Sequence, residues 1–312
     1  TITNWLDDES GPQNILVVVN RVATAEAVHA KLNKSHRRKH DIHLLTGRIR
    51  PLDRDQLIAS LQSHLAGAEP PHQRKLVLVA TQTVEVGADY DFDALVTELA
   101  PLDSLRQRFG RLNRTGRDIP APAAIFAPEE ALDENKPDPI YGECLPAVWQ
   151  WLQSHASAET VDFGLAAMRD ILPIGETLAP LLAPAPDAPL LLSPHLDLLC
   201  QTSPEPHVSP DPAIYIHGPG RNFADIGVVL RADLPADKEQ ATALLETFPP
   251  LSTETATIPL SLARDWLVDP KAATKNPNGD APVDIEPQGK PRPVRLKQVY
   301  RFHQGEASQT TT

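Results

Sequence analysis

Short apolar runs bounded by polar residues recur along the first part of the chain and constrain its fold most strongly. Residues 14–20 and 76–80 are the clearest, because leucine and β-branched residues follow one another without polar alternation. Such runs are typical of strands that are buried on both faces, as in a parallel sheet. Shorter runs of the same kind occupy residues 42–45, 94–99 and 123–127.

Helical patterns separate these runs. Residues 22–33 place their apolar side chains at helical spacing, and a second apolar stripe follows Asp53, which we expect to be an N-cap, and ends at Gly67. Strands that alternate with helices predict an α/β fold with a mostly parallel sheet and flanking helices. In such folds, ligands bind beyond the carboxyl ends of the strands, so the loops at those ends contain the candidate site.

The loop over residues 81–91 reads Thr-Gln-Thr-Val-Glu-Val-Gly-Ala-Asp-Tyr-Asp and follows a buried run directly. Thr81 and Gln82 suit contacts with a backbone phosphate, and Gly87 allows the main chain to approach a nucleotide. Asp89 suits a ribose hydroxyl. A polar loop with aspartates in turns accounts for the same pattern if the loop is taken alone.

Residues 107–114 read Gln-Arg-Phe-Gly-Arg-Leu-Asn-Arg and follow Asp103, which we expect to cap a helix. Arg108, Arg111 and Arg114 are three residues apart, and on a helix this spacing places them along one side, where they repel one another. Guanidinium groups bind phosphate oxygens in pairs and keep their charge, so the row favours a polyphosphate ligand. The alternative is a solvated basic face on a surface helix.

Taken together, these patterns resemble the second RecA-like domain of superfamily 2 helicases. Residues 81–91 are similar to the fifth conserved motif of that domain and residues 107–114 to the sixth. Leu-Leu-Thr-Gly-Arg at 44–48, followed by Asp53 and Arg54, resembles the segment that meets the nucleic-acid backbone. Thr-Gln-x-x-Glu with aspartates at 89, 91 and 93 is most similar to the helicase-nuclease of type I CRISPR systems, although that family often has Ser where this chain has Gly87.

The resemblance implies a role for each position. Arg111 and Arg114 would be catalytic arginine fingers on the γ-phosphate of ATP, which the first RecA-like domain would hold. The implied ATP-binding residues are Gln107, Gly87, Asp89 and Arg108, with pairing of Arg108 to a carboxylate such as Glu85 as the structural alternative. The implied nucleic-acid-binding residues are Thr81, Gln82, Thr46, Gly47 and Arg48.

Several parts of a complete motor are missing from the sequence. There is no Gly-x-x-x-x-Gly-Lys-Ser/Thr phosphate loop, no Asp-Glu-x-His box for Mg²⁺ and no His-Asp pair of a metal nuclease. We therefore expect no metal in this chain, Mg²⁺ bound by the missing first RecA-like domain, and no ATP hydrolysis by the chain alone. The chain begins Thr-Ile-Thr-Asn, without Met or a secretory pattern, and we expect it to be a fragment or a processed piece.

Charge and proline content change near residues 118–130. Through residue 118 the chain has 16 Lys+Arg and 15 Asp+Glu, a net charge of +1, whereas the remainder has 13 and 26, a net charge of −13. Five of the 32 prolines precede residue 119. We predict a lead-in, a RecA-like domain, a helical and Pro-rich linker, and a smaller Pro-rich α+β accessory domain, at 1–13, 14–128, 129–192 and 193–312.

The proline-rich remainder carries weaker patterns. We expect helices at 145–155, 161–172, 238–248 and 260–267, and strands at 225–234 and 294–303, with 178–194 extended. Trp149 and Trp151 suit packing between domains or stacking on bases. The stretch from Ser193 to Pro204 is similar to the post-helicase region of the I-U, or I-G, branch of the CRISPR helicases, which implies a domain that covers the DNA channel or docks on the interference complex.

Composition narrows the functional classes further. No apolar run approaches the roughly 18 residues of a membrane span, and Cys144 and Cys200 form neither a disulfide framework nor a metal box, so the expected compartment is the cytoplasm. The basic run at 35–40 suits a solvated loop or a contact with a DNA backbone.

The expected function is that of the C-terminal part of an ATP-dependent, CRISPR-associated DNA helicase. Its expected partners are single-stranded DNA, the first RecA-like domain and the CRISPR interference complex, with no membrane. Two alternatives remain open: another superfamily 2 helicase or translocase acting on RNA or duplex DNA, and a non-catalytic nucleic-acid-binding subunit.

Overall fold

The computed structural model describes residues 1–65, 74–87, 89–185 and 187–201, and shorter segments between 203 and 310. Its helices are α1 (Ile2–Asp7), α2 (Val22–His36), α3 (Pro51–Leu65), α4 (Leu102–Phe109), α5 (Cys144–His155), α6 (Leu165–Ile171), α7 (Ser193–Cys200), α8 (Ala213–His217) and α9 (Lys238–Thr247). Its strands are β1 (Asn14–Val18), β2 (Asp41–Leu45), β3 (Leu76–Ala80), β4 (Ala94–Glu98), β5 (Ala123–Phe126), β6 (Asp225–Val228), β7 (Ala256–Pro259), β8 (Val283–Ile285), β9 (Pro291–Pro293), β10 (Val299–His303) and β11 (Glu306–Thr310). Among these residues, no helix combines the length and apolarity needed to cross a membrane.

The first five strands form one parallel sheet in the order β2-β3-β1-β4-β5. The predicted α/β fold with a parallel sheet is therefore confirmed. The bounds of β3 are as expected, and the ends of the other four strands differ from the predicted ones by at most two residues. The three interior strands are almost completely buried: every residue of β3 and β4 is buried, as are the last four residues of β1. Continuous apolar runs were the right indicator because both faces of these strands are covered.

Alternate residues of β1 enter two different hydrophobic clusters, as the period of two in a strand requires. Leu16 and Val18 pack with Leu61 and Leu65 of α3 on one face. Ile15 and Val17, together with Val19 directly after the strand, pack on the other face with side chains of α1 and α2, among them Leu6, Ala25 and Leu32. The helices thus cover both faces of the sheet and leave its strand-end edges for binding.

A third hydrophobic cluster joins α4 to the segment that follows the sheet. Leu102 and Leu105 of α4 are fully buried against Tyr141, Leu145 and Val148. The Phe109 ring stacks on Phe163 at 3.8 Å between centroids and 8° between planes. Trp149 and Trp151 are partly buried and pack against this same cluster, which favours the packing role for the pair. The cluster crosses residue 128, and the predicted domain boundary there stays a prediction.

Three predicted helix starts were wrong, each for a local reason. Asp53 lies in the first turn of α3, where it pairs with Arg50 at 2.6 and 2.8 Å. The helix starts earlier than expected because Pro51 suits the first helical position. Asp103 also lies inside its helix, where it accepts from the Ala183 N–H at 3.2 Å. Helix α6 begins only at Leu165, after Gly164. The expected stop at Gly67 lies outside the described residues.

The C-terminal part contains short antiparallel pairs, β6 with β7, β8 with β9 and β10 with β11. The predicted strand at 225–234 is present as β6 and that at 294–303 as β10, while residues 230–232, 234 and 294–298 of these predictions lie outside the described residues. Residues 178–194 were expected to be extended. They include a short 3-10 turn at Ala179–Leu181, and their last two residues begin helix α7. The predicted helix at 260–267 lies outside the described residues, and the accessory domain as a unit stays a prediction.

Candidate functional site

The loops that follow β2 and β3 lie side by side at the carboxyl-end edge of the sheet, as their parallel pairing requires. The Thr81 N–H and the Thr83 hydroxyl both donate to the Leu45 carbonyl at 3.2 Å. The predicted nucleic-acid residues Thr46 and Gly47 follow that carbonyl directly. The structure therefore brings the segment at 46–48 next to the start of the 81–91 loop.

The three arginines do not lie along one helix face, and this expectation was wrong. Helix α4 ends at Phe109, and the chain turns at Gly110, whose N–H donates to the Arg106 carbonyl at 2.9 Å. Leu112 then pairs with Phe92 in an isolated parallel bridge, and Asn113 adopts a left-handed conformation with φ of 44°. The turn places each arginine in a different environment, so the like-charge row that the spacing implied does not form.

Arg108 is fully buried and its guanidinium is saturated. Its Nε donates to Glu85 Oε1 at 2.9 Å, and its Nη1 donates to the Thr97 hydroxyl and the Glu98 carbonyl at 2.9 and 3.0 Å. Its Nη2 donates to Asn20 Oδ1 at 2.9 Å and to the Tyr141 hydroxyl at 3.2 Å. A buried charge needs this degree of pairing. The expected pairing of Arg108 with Glu85 is present, and these contacts give Arg108 a structural role.

Arg111 is 7% exposed and is anchored on the main chain of the 81–91 loop. Its Nε donates to the Val84 carbonyl at 2.9 Å, and its Nη2 donates to the Glu85 carbonyl at 2.8 Å. Within the described part of the chain, its Nη1 has no hydrogen-bond partner. Burial, and after it the charge of Arg114, lowers the pKa of Arg111 from its ordinary value. The guanidinium is thus fixed in place with one nitrogen left for a ligand.

Arg114 is exposed and pairs with Asp89, Nε to Oδ1, at 2.6 Å. The Asp89 side chain is 85% exposed, and Gly87 beside it is exposed with φ of 77°, a conformation that favours glycine. Exposed ion pairs contribute little to stability, so this pair can exchange partners at low cost. Gln107 is also exposed, at the end of α4. These four predicted ATP-site residues form the accessible part of the edge.

Asp91 and Asp93 are structural, unlike Asp89. Asp93 Oδ2 accepts from the main-chain N–H groups of Gln13 and Asn14 at 2.9 and 2.8 Å, at the start of β1. Arg117 bridges the two aspartates, with Nε 3.1 Å from Asp91 Oδ2 and Nη1 2.7 Å from Asp93 Oδ1. The bridge ties the loop after Arg114 to the sheet.

Three residues of the site were missed from the sequence, namely Asn20, Glu98 and Tyr141. Asn20 donates to the Leu99 carbonyl through Nδ2 at 2.7 Å, and its main-chain N–H donates to Glu98 Oε2 at 2.8 Å. Burial raises the pKa of Glu98, while the Asn20 N–H and the Arg108 charge oppose the shift. A polar residue closing the first apolar run was the available signal for Asn20. Tyr141 had none, because it lies beyond both motifs.

Gln82 faces inward. Its Nε2 donates to the Asn20 carbonyl and to the Tyr141 hydroxyl, each at 3.0 Å. Thr81 and Thr46 are buried, whereas Gly47 is exposed and Arg48 is half-buried. Gly47 and Arg48 are therefore the members of the predicted nucleic-acid set that reach the surface.

The basic run at 35–40 lies at the opposite edge of the sheet, where β2 begins. Arg74 holds this turn, with Nη2 at 2.9 Å from the Arg37 and His40 carbonyls and Nε at 2.9 Å from Asp41 Oδ1. In the part of the chain that the structure describes, no three His, Cys, Asp or Glu side chains are grouped as a metal site requires.

Known proteins are similar to the part of the chain that contains this edge of the sheet. Residues 12–117 match the family described as CRISPR-associated nuclease/helicase Cas3, C-terminal. The chain is 39% identical over 110 residues to the CRISPR-associated endonuclease/helicase Cas3 of Thermus thermophilus, covering 33% of this chain and 12% of that protein. It is 32% identical over 107 residues to the nuclease/helicase Cas3 of Methanothermobacter thermautotrophicus, covering 34% and 12%. The chain thus spans only a small share of these relatives.

A solved structure described as a CRISPR-associated protein superimposes on the whole chain with a TM-score of 0.51 and 15% identity, and the match covers 39% of that protein. At this identity, the likeness supports the fold.

Proposed function

With residues 12–117 identified as a Cas3-type helicase C-terminal domain, we propose that the chain forms one wall of the ATP site in an ATP-dependent, CRISPR-associated DNA helicase. Subtype I-U or I-G remains part of the proposal. The intact motor would bind single-stranded DNA across two RecA-like domains and unwind target DNA during antiviral interference in the cytoplasm.

The observation that carries this proposal is the anchoring of Arg111 on the carbonyls of Val84 and Glu85. The anchor joins the 81–91 loop to the 107–114 segment, so a change in one moves the other. It also fixes the guanidinium before any ligand arrives, and pre-fixed donors stabilise developing charge most effectively. Arginine fingers supply about 10³–10⁵ in turnover in other nucleotide hydrolases. We assign Arg111 this role.

Arg114 is proposed as the second finger, and it differs from Arg111 in being exposed. Without a nucleotide, Arg114 pairs with Asp89. A γ-phosphate would replace Asp89 as the partner of Arg114, because phosphate offers a stronger charge-assisted contact. Asp89 would then be released to accept from a ribose hydroxyl, beside Gly87. Gln107 is exposed at the end of α4 and would face the nucleotide.

The residues present fit the phosphate end of a nucleotide and do not fit its metal. Cations and an exposed glycine line the edge, while the nearby Asp91 and Asp93 are both occupied by Arg117. Bound Mg²⁺ would neutralise phosphate charge, and we assign its ligands to the first RecA-like domain. Asp91 and Asp93 instead hold the loop that presents Arg114.

The nucleic-acid wall is proposed at the adjoining loop. Gly47 and Arg48 would meet the DNA backbone at the surface, with Thr46 and Thr81 behind them. The Gln82 amide is engaged with Asn20 and Tyr141, so its proposed part would be to link the DNA wall to the buried network. The CRISPR interference complex is the proposed partner of the intact protein.

Reconstitution tests this function. The chain would be mixed with a matching first RecA-like domain, and ATP turnover would be measured with and without single-stranded DNA. We expect turnover that DNA stimulates and that neither part shows alone. Stimulation by RNA or duplex DNA only would favour another superfamily 2 motor. Absence of turnover together with retained DNA binding would favour a non-catalytic binding subunit.

A further inference from the structure

The Tyr141 hydroxyl lies where the two motifs of the site meet, although Tyr141 belongs to neither. It accepts from Gln82 Nε2 at 3.0 Å and from Arg108 Nη2 at 3.2 Å, and its side chain interacts with Ser104 as well. The residue is 6% exposed. It follows β5 and lies beyond residues 12–117, so the family match does not include it.

The turn that presents Tyr141 is held rigidly. The main-chain N–H groups of Ile140 and Tyr141 donate to Asp138 Oδ1 at 2.8 and 3.0 Å. Asp138 and Gly142 exchange two main-chain hydrogen bonds of 2.8 Å, and Gly142 has φ of 61°. Asp138 Oδ2 also lies 3.4 Å from Arg21 Nη2, at the start of α2. These contacts fix the position of the Tyr141 hydroxyl relative to the start of α2.

A continuous path of contacts leads from this hydroxyl to Arg111. Tyr141 contacts Arg108, whose Nε holds the carboxylate of Glu85. The carbonyl of Glu85 in turn holds Arg111 Nη2. Ser104 stabilises Glu85 from the other side, at 3.2 Å from Oε2. The contacts of Arg108 with Tyr141, of Arg108 with Glu85 and of Arg111 with Glu85 are direct hydrogen bonds; the first is buried and the other two are partly buried.

We propose that Tyr141 is a positioning residue for ATP hydrolysis, which sets Arg111 through Arg108 and Glu85. The proposal rests on the proposed function. It also ties the segment after β5 to the site, since the same segment stacks Phe163 on Phe109 beyond the end of the sheet. Tyr141 touches no substrate in this scheme, and loss of its hydroxyl acts through the arginine.

The experiment uses Tyr141→Phe in the protein that contains this chain and its first RecA-like domain. The phenyl ring keeps the packing with Leu145 and removes only the hydroxyl. Tyr215→Phe is the matched control, because that ring lies against His195, outside the network. We expect DNA-stimulated kcat to fall about 5-fold, because the hydrogen bonds from Gln82 and Arg108 to the hydroxyl are lost, while the KM for ATP changes less than about 2-fold. The control retains parental kcat.

A double-mutant cycle with Arg111→Lys separates positioning from general stability. If Tyr141 acts through Arg111, Tyr141→Phe has little further effect in the Arg111→Lys background. Full additivity of the two losses, or parental kcat in Tyr141→Phe, overturns the proposal.

If Tyr141→Phe fails to fold, Asp138→Ala, which releases the turn, must give the same kcat loss at constant KM. Parental kcat in Asp138→Ala overturns the proposal equally. Absence of turnover in the parent protein instead overturns the proposed function, and the inference with it.

Discussion

Arg111 donates to the main-chain carbonyl of Glu85 at 2.8 Å, while the carboxylate of the same Glu85 pairs with the buried Arg108. One residue of the 81–91 loop therefore holds two arginines of the 107–114 segment, Arg108 through its carboxylate and Arg111 through its carbonyl. The arrangement explains how a short loop can fix the position of a guanidinium without a regular helix beneath it. It also predicts unequal effects of mutating the two arginines.

Arg108→Met should destabilise the fold strongly, because it leaves Glu85 without its buried cation. We expect the free energy of unfolding to fall by about 3–5 kcal/mol. Urea denaturation followed by circular dichroism measures this. Arg106→Met, exposed on the same helix, is the control and should change stability by less than about 0.5 kcal/mol. Equal, small effects of the two substitutions would contradict the buried assignment of Arg108.

Asp93→Asn and Asp89→Asn should differ in the same assay. Asp93 accepts two main-chain hydrogen bonds and pairs with Arg117, so its substitution should cost about 1–3 kcal/mol. Asp89 makes an exposed pair with Arg114, and its substitution should cost less than about 0.5 kcal/mol. A larger loss for Asp89→Asn than for Asp93→Asn would refute this division of the three aspartates.

The first strands were predictable from the sequence because their environment is uniform. β1 and β3 are buried on both faces, so continuous apolar runs mark them without any knowledge of their neighbours. The geometry of the arginines was not predictable in this way. A spacing of three continues a helix, but Gly110 ends it, and the pairing of Leu112 with Phe92 across the chain sets the next turn. Local patterns carry no information about that pairing.

Tyr141 shows the same limit more sharply. Its hydroxyl meets Gln82 across 59 residues of sequence, and nothing around position 141 marks it as polar chemistry. By contrast, the ion pair between Arg108 and Glu85 was expected, because the helicase resemblance offered a carboxylate such as Glu85 as the structural alternative for Arg108. The sequence thus identified the arginines and Asp89 but missed Glu98, and only the structure showed which charged side chains are buried.

Glu98→Gln should change the pH dependence of stability. Burial raises the pKa of Glu98 above its ordinary 4.5. The folded state then holds this proton more tightly than the unfolded state. The stability that Glu98 contributes is therefore present below pH 4.5 and is lost as the pH rises from 4.5 through the raised pKa of the folded state. Gln cannot ionise, and the variant should gain stability relative to the parent over that rise. Chemical denaturation at several pH values measures the difference, and a pH-independent difference would disprove the account.

Cys144 and Cys200 should react at different rates. Burial raises the pKa of the Cys144 thiol to about 11, so little thiolate forms near neutral pH, whereas Cys200 is exposed. In native protein at pH 8, iodoacetamide should modify Cys200 well before Cys144, as followed by mass spectrometry of the peptides. Unfolding in urea should remove the difference. Faster labelling of Cys144 in the native protein would show that α5 does not pack as described.

The most direct test of the central claim is ATP turnover by the reconstituted motor carrying Arg111→Ala, compared with Arg106→Ala. The account predicts a fall in kcat of at least about 10³-fold for Arg111→Ala. It predicts parental turnover for Arg106→Ala and a circular dichroism spectrum unchanged in both variants. Parental turnover in a folded Arg111→Ala protein would contradict the assignment of Arg111 as a finger and, with it, the proposed role of this edge in ATP hydrolysis.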